Sequence, residues 1–233
     1  MARSEVPIRI LAAGDSAWLI ELPERIDAAI NLRAIGIARA VERAHLPVTD
    51  VVVGYRSVMV YFDPLSDVAA DIQARLRQIA LAELPDDAAA GALVNVPVCY
   101  DGPYGPDLGD VAAFGRCSIE EVIALHLGIE YRVFVVGFVP GFAYLASVDP
   151  RIAAPRRLSP RLKVPAGSVA VAAGQTGVYP AETPGGWSLI GRCPIKPYDG
   201  DRPEPFLFHP GDRVRFHRIS ESAYRATSQW GDF

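Results

Sequence analysis

The sequence predicts a small α+β domain followed by a mainly-β barrel or sandwich domain, and three observations carry that reading. From Val6 to about Asp87, short apolar runs alternate with stretches of helical periodicity. After residue 96 the apolar runs shorten, and most of the 20 prolines and 20 glycines are found there, as expected for short strands between tight turns. Between the two regions, LPDDAAAGA (84–92) runs from polar to small residues without a period, which sets the expected domains at residues 1–88 and 93–233.

In the first domain, Ile8, Ile10 and the run from Ala17 to Leu22 predict two strands joined by a turn at Gly14-Asp15. Ile26, Ile30, Ile37, Val41 and Ala44 recur at helical spacing, and this helix must stop before Pro47. Val51–Val53 and Val58–Phe62 give a second strand pair around Gly54-Tyr55. Ser66 is the expected N-cap of a second helix whose buried face is Val68, Ile72, Leu76 and Ile79. The order ββαββα predicts a small sheet with helices on one face. In the second domain, Ser168–Ala172, Trp187–Ile190 and Val214–Phe216 are expected strands. One helix is expected among them, opened by the capping box Ser118-Ile-Glu-Glu121 and closed by Gly128 as C′ residue.

The 233 residues carry a net charge of −4, which gives no reason to expect nucleic acid or an anionic membrane as partner. Cys99, Cys117 and Cys193 form no CxxC and no metal-ligand spacing, as suits buried thiols in a reducing compartment. No apolar run approaches a membrane span and MARSEVPIRI lacks a signal core, so a soluble, cytoplasmic protein is expected. The absence of GxxxxGK[ST], GxGxxG, a Met-Lys-Met biotin attachment site and GxSxG argues against a complete reaction by this chain alone. His45, His126, His209 and His217 form no HxH or HExxH, and no metal is expected.

Several stretches nonetheless carry chemistry. His126 shares its helix face with Ile119, Val122 and Ile123, so it is either a buried histidine satisfied by a backbone carbonyl or an acid, base or donor facing a ligand. In APRRLSPRLKVPAGS (154–168), Arg156, Arg157, Arg161 and Lys163 stand between stiffening prolines, which suits either a small anionic substrate or a solvated basic loop. GQTGVYPAETPGGW (174–187) sets Gln175 and Thr176 beside Tyr179 and Trp187, as a ligand-approaching loop or as plain turns. VFVVGFVPGFAYL (133–145) begins as a buried strand that Gly137, Pro140 and Gly141 interrupt. Its rings Phe138, Phe142 and Tyr144 are then either a pocket wall or a hydrophobic plug.

In this order, GFVPGFAYL and PRRLSPRLKVPAGSVAVAAGQTGVYPAETPGGWSLIGR resemble the bacterial 5-oxoprolinase B-subunit family, also known as allophanate hydrolase subunit 1. GDSAWLIEL, VVGYRSVMVYFDP, VPVCYDGPYGPDL and EEVIALH extend the resemblance over nearly the whole chain. It implies a small α+β domain followed by a mainly-β cyclophilin-like barrel, in a protein that pairs with a homologous C subunit and acts with an A subunit. Such complexes hydrolyse 5-oxoproline to glutamate with ATP, here bound wholly or partly on a partner. Within that expectation, Arg156 and Arg161 hold anionic oxygens, Gln175 and Thr176 bond the ring amide, Tyr179 lines the substrate site and His126 handles a proton. Phe138, Pro140, Gly141, Phe142, Tyr144 and Trp187 form the pocket wall. Two alternatives follow from the same resemblance: a regulator that inhibits a sensor histidine kinase, and a component of urea or allophanate metabolism. One departure is Ala172-Ala173-Gly174, where Ala-Gly-Gly is common and where a close backbone approach at Ala173 is then in question.

Overall fold

In the computed structural model, which describes residues 8–25, 27–66, 68–82 and 91–230, chain contacts divide the protein into two units, Met1–Ala90 and Gly91–Phe233. Residues 84–90 of the expected boundary, and Ile26 of the first helix face, lie outside the described residues.

Strand alternation explains the first unit. β1 (Arg9–Ala12), β2 (Ala17–Glu21), β3 (Asp50–Val53) and β4 (Ser57–Tyr61) form one antiparallel sheet in the order β1-β2-β4-β3. Gly14, at φ +73°, turns β1 into β2. Ile20, Val58 and Val60 point to one face and meet Ile30, Ile37 and Val41 of α1 (Ala28–Arg43) and Ile72 and Leu76 of α2 (Ala69–Leu81). The Asp27 carboxylate caps α1 by accepting from the N–H groups of Ala29 and Ile30. Ser66 does not cap α2 as expected. Its hydroxyl is spent on the Asp63 carbonyl in the preceding turn, and Val68 is the uncapped N-terminal residue.

The second unit is a nearly closed barrel with mixed strand directions. Its strands are β5 (Leu93–Val98), β6 (Glu130–Val136), β7 (Ala143–Ala146), β9 (Ser168–Ala172), β10 (Gln175–Val178), β12 (Ser188–Arg192) and β13 (Arg213–Arg218), in the order β12-β9-β10-β7-β6-β13-β5. β13 runs parallel to β5 and all other neighbours are antiparallel. Reciprocal hydrogen bonds of 2.9 and 2.8 Å between Cys99 and Arg192 join the two ends of the sheet. β8 (Arg161–Val164) and β11 (Thr183–Gly185) form a separate two-stranded ribbon.

Among the described residues three α-helices accompany the barrel, where the sequence led us to expect one: α3 (Leu108–Gly115), α4 (Ile119–Leu127) and α5 (Glu221–Thr227). The capping box of α4 forms as expected. Gly128 ends that helix at φ −74° instead of in the left-handed region, so a positive φ is not what requires glycine there. On β9, Val169 and Val171 enter the barrel core, whereas Ala170 and Ala172 join a second apolar cluster on the opposite face of the sheet. One strand thereby serves two cores.

β9 and β10 are joined by the two-residue turn Ala173-Gly174, with φ of +48° and +87°. This is the geometry of a type I′ hairpin turn, which prefers Asn-Gly. The close backbone approach in question at Ala173 is made within the chain, because its N–H donates to the Ala154 carbonyl at 2.8 Å. An alanine in the left-handed region is strained. Ala173→Asn is therefore expected to raise unfolding free energy by roughly 0.5–1 kcal/mol in denaturant titrations.

Candidate functional site

The site is organised by Asp107, a residue that the sequence reading did not single out. It stands at the N-terminus of α3 and is 3% exposed. Its carboxylate accepts from Arg161 Nη1 and Nη2 at 2.8 and 2.7 Å, from Arg157 Nη1 at 3.3 Å and from the Leu189 N–H at 2.7 Å. Its own N–H donates to the Leu189 carbonyl at 3.0 Å. A carboxylate at a helix N-terminus is further favoured by the helix dipole. The signal for it lay in YGPDL, where an Asp opens a helix immediately after a Gly-Pro pair.

This arrangement divides the four cations of the basic loop. Arg161 has both terminal nitrogens on Asp107, Arg157 reaches Asp107 and Asp110, and Lys163 pairs with Glu182 at 3.2 Å. Arg156 is different. It is exposed, and among the described residues no carboxylate pairs with it. Its guanidinium carbon lies 5.9 Å from the centroid of the Trp187 ring.

Beneath Arg156 the aromatic residues form a compact set. Phe142 meets Tyr144, Tyr179 and Trp187 edge-on, at centroid distances of 4.8, 5.1 and 5.5 Å. Gly177 leaves room for the Phe142 ring, because a Cβ there would stand 3.2 Å from Phe142 Cζ. Gly185 makes the same allowance for Tyr179. Burial pushes the Tyr179 hydroxyl up to about 12, against the opposing charge of Arg156, and raises Tyr144 in the same direction.

The expected pocket wall thus splits in two. Phe142, Tyr179 and Trp187 are 2%, 2% and 4% exposed and act as a core, and Gly141 is buried with them. Tyr144 is half-buried, while Phe138 and Pro140 are exposed. Phe138 is held at φ +75° with its ring edge-on to Phe142 at 5.8 Å. Such a backbone is costly for a bulky residue and is a recurrent property of functional turns. Gln175 is half-buried, and strand alternation gives it the same face as Tyr144.

His126 and Thr176 belong to the other face. Both are fully buried. The Thr176 hydroxyl donates to the Ala170 carbonyl at 2.9 Å, so its oxygen accepts from His126 Nε2 at 2.9 Å. His126 Nδ1 in turn accepts from the Tyr100 hydroxyl at 2.8 Å. The ring stacks on Phe216 at 4.5 Å, and burial lowers its pKa to about 3. With both nitrogens occupied, His126 offers none to a substrate, and the proton-handling role expected for it is replaced by a structural one. Two hydroxyls satisfy it in place of the backbone carbonyl considered for a buried histidine. Thr176 is likewise directed into the barrel and away from a ring amide.

The sequence profile of the family described as "Carboxyltransferase domain, subdomain C and D" matches residues 8–208. The 5-oxoprolinase B subunit of Bacillus subtilis (strain 168) is 39% identical over 95% of this chain and 97% of its own length. That of Escherichia coli O157:H7 is 39% identical over 89% of this chain and 94% of its own. The chain belongs to the 5-oxoprolinase B-subunit family. Among solved structures, TTHA0988 superposes with a TM-score of 0.79 at 38% identity, over 88% of this chain but only 40% of that longer one. The urea amidolyase of K. lactis, at 20% identity and a TM-score of 0.75, shares the fold; this chain covers 16% of it.

Two outcomes follow from the geometry. Phe142→Ala opens a cavity in the aromatic core and is expected to cost about 3–5 kcal/mol in denaturant unfolding, which identifies the ring as a plug instead of a free wall. The unfolded His126 takes up a proton near pH ~6.5, whereas the folded one stays neutral down to about 3. Its contribution to stability is complete above the unfolded value and is lost as pH falls through this window, by about 1.4 kcal/mol per pH unit. Denaturation midpoints measured between pH 6.5 and 4 are expected to show a shallower slope in His126→Gln.

Proposed function

We propose that this chain is the B subunit of an ATP-dependent 5-oxoprolinase, which opens the lactam of 5-oxoproline to L-glutamate together with A and C subunits in the cytoplasm. The observation that carries the reading is the near end-to-end correspondence with two relatives named as the B subunit of 5-oxoprolinase. In this reading the second unit is a barrel of the cyclophilin-like type.

A lactam amide resists attack by water, so ATP serves to activate its oxygen as a phosphorylated intermediate before water adds. This chain carries no P-loop sequence, and ATP binds wholly or partly on a partner protein of the complex. The work left to this chain is to bind and orient the substrate and to exclude water. Arg156 presents a guanidinium to an anionic oxygen, Gln175 hydrogen-bonds the ring amide, and Phe138, Pro140 and Tyr144 form the accessible apolar wall. Arg161, expected to share the anion, supports Arg156 through Asp107.

The test is phosphate release by the complex isolated from native cells through a tag on this chain, with and without 5-oxoproline. Stimulated release with glutamate as product is expected. An intact complex containing its partner proteins that shows no stimulation would contradict the reading.

A further inference from the structure

Residues on both sides of Arg156 are fixed to the barrel. Before it, the Ala154 carbonyl accepts from the Ala173 N–H at 2.8 Å, at the tip of the β9–β10 hairpin. After it, the Arg157 N–H donates to the Gly186 carbonyl at 2.7 Å, and the Arg157 side chain joins Asp107. Farther along, Arg161 locks onto the same carboxylate with both terminal nitrogens. Pro155 and Pro160 restrict the backbone between these anchors. The loop is therefore fixed at its ends, and the side chain between them faces outward without a carboxylate partner among the described residues. It lies over a Trp187 ring that is itself packed against Phe142.

Charge accounting narrows what such a site takes. Three of the four cations in 156–163 already have acidic partners in this chain, which leaves one guanidinium. One guanidinium matches one carboxylate bidentately. A phosphoryl group in transfer is ordinarily met by several cationic or N–H donors at once.

We propose that Arg156 alone receives the free carboxylate of the substrate, and that Asp107 is the positioning residue that holds the loop and withdraws Arg157 and Arg161 from the ligand. This inference rests on the 5-oxoprolinase reading and deepens it, because it assigns the substrate carboxylate to this barrel and the phosphoryl group to another place in the complex.

The experiment is steady-state kinetics of the assembled complex carrying wild-type, Arg156→Gln or Asp107→Asn chain, with 5-oxoproline and ATP varied separately. 2-Pyrrolidinone, the same lactam without the carboxylate, serves as competing probe. Arg156→Gln is expected to raise KM for 5-oxoproline roughly 10- to 100-fold, as for loss of a hydrogen bond to a charged group. KM for ATP and the inhibition constant of 2-pyrrolidinone are expected to stay unchanged. Asp107→Asn keeps an acceptor for the Leu189 N–H but loses the charge. It is expected to raise KM for 5-oxoproline at least about 3-fold at unchanged kcat, the mark of a misplaced binding group. A purely structural Asp107 would lower the active fraction, and so apparent kcat, without moving KM, which would overturn its positioning role. An unchanged KM for 5-oxoproline in Arg156→Gln, or a raised KM for ATP, would overturn the carboxylate assignment. Both results leave the oxoprolinase reading standing, whereas absence of 5-oxoproline-stimulated turnover in the wild-type complex removes that reading itself.

Discussion

A single buried carboxylate ties the candidate site together. Asp107 is almost inaccessible to water, and leaving it ionised there is tolerable only because two guanidinium groups and a backbone N–H surround it. Without Arg161, its two-pronged partner, the buried carboxylate would keep only the 3.3 Å contact from Arg157 and the Leu189 N–H, so Arg161 carries most of the compensation. The consequence reaches beyond stability. The start of α3, the edge of β12 and the loop before β8 all meet at this one group, so the position of Arg156 is inherited from it.

The barrel wall separates two chemistries. Inside, His126 is kept neutral by burial and passes a directed chain of hydrogen bonds from Tyr100 to Thr176 and on to the carbonyl of Ala170. Outside, Ala170 and Gly177 are small, and that smallness lets Phe142 lie against the sheet while Tyr179 and Trp187 close around it. The inner chain fixes the backbone of β9 and β10. The outer cluster uses those same strands as its floor. Of the groups assigned to the substrate, Arg156, Tyr144 and the strained Phe138 sit at the accessible margin of that cluster.

Much of this was legible in the sequence, for identifiable reasons. The elements of the first unit follow from period-2 and period-3.6 patterns long enough to be unambiguous, and the capping box of α4 is a local hydrogen-bond code. α3 and α5 were missed because helices of eight and seven residues present barely two turns of pattern, and α3 carries glycine at its second and last positions. Ser66 misled because its hydroxyl had a nearer acceptor in Asp63. In the candidate site, residue types singled out segments that the fold brings together but not the direction of each side chain. Gln175 and Thr176 are adjacent, yet strand alternation sends one to the accessible face and the other to the core. Which arginine stays available depends on Asp107, some 50 residues away, and no local pattern encodes that pairing.

The measurement that bears most directly on this account is a crystal structure of the assembled complex with 5-oxoproline bound. The account predicts the substrate carboxylate on the guanidinium of Arg156, with Arg157 and Arg161 still on Asp107. A substrate bound elsewhere in the complex, or an Arg161 that has left Asp107 to meet it, would contradict the account.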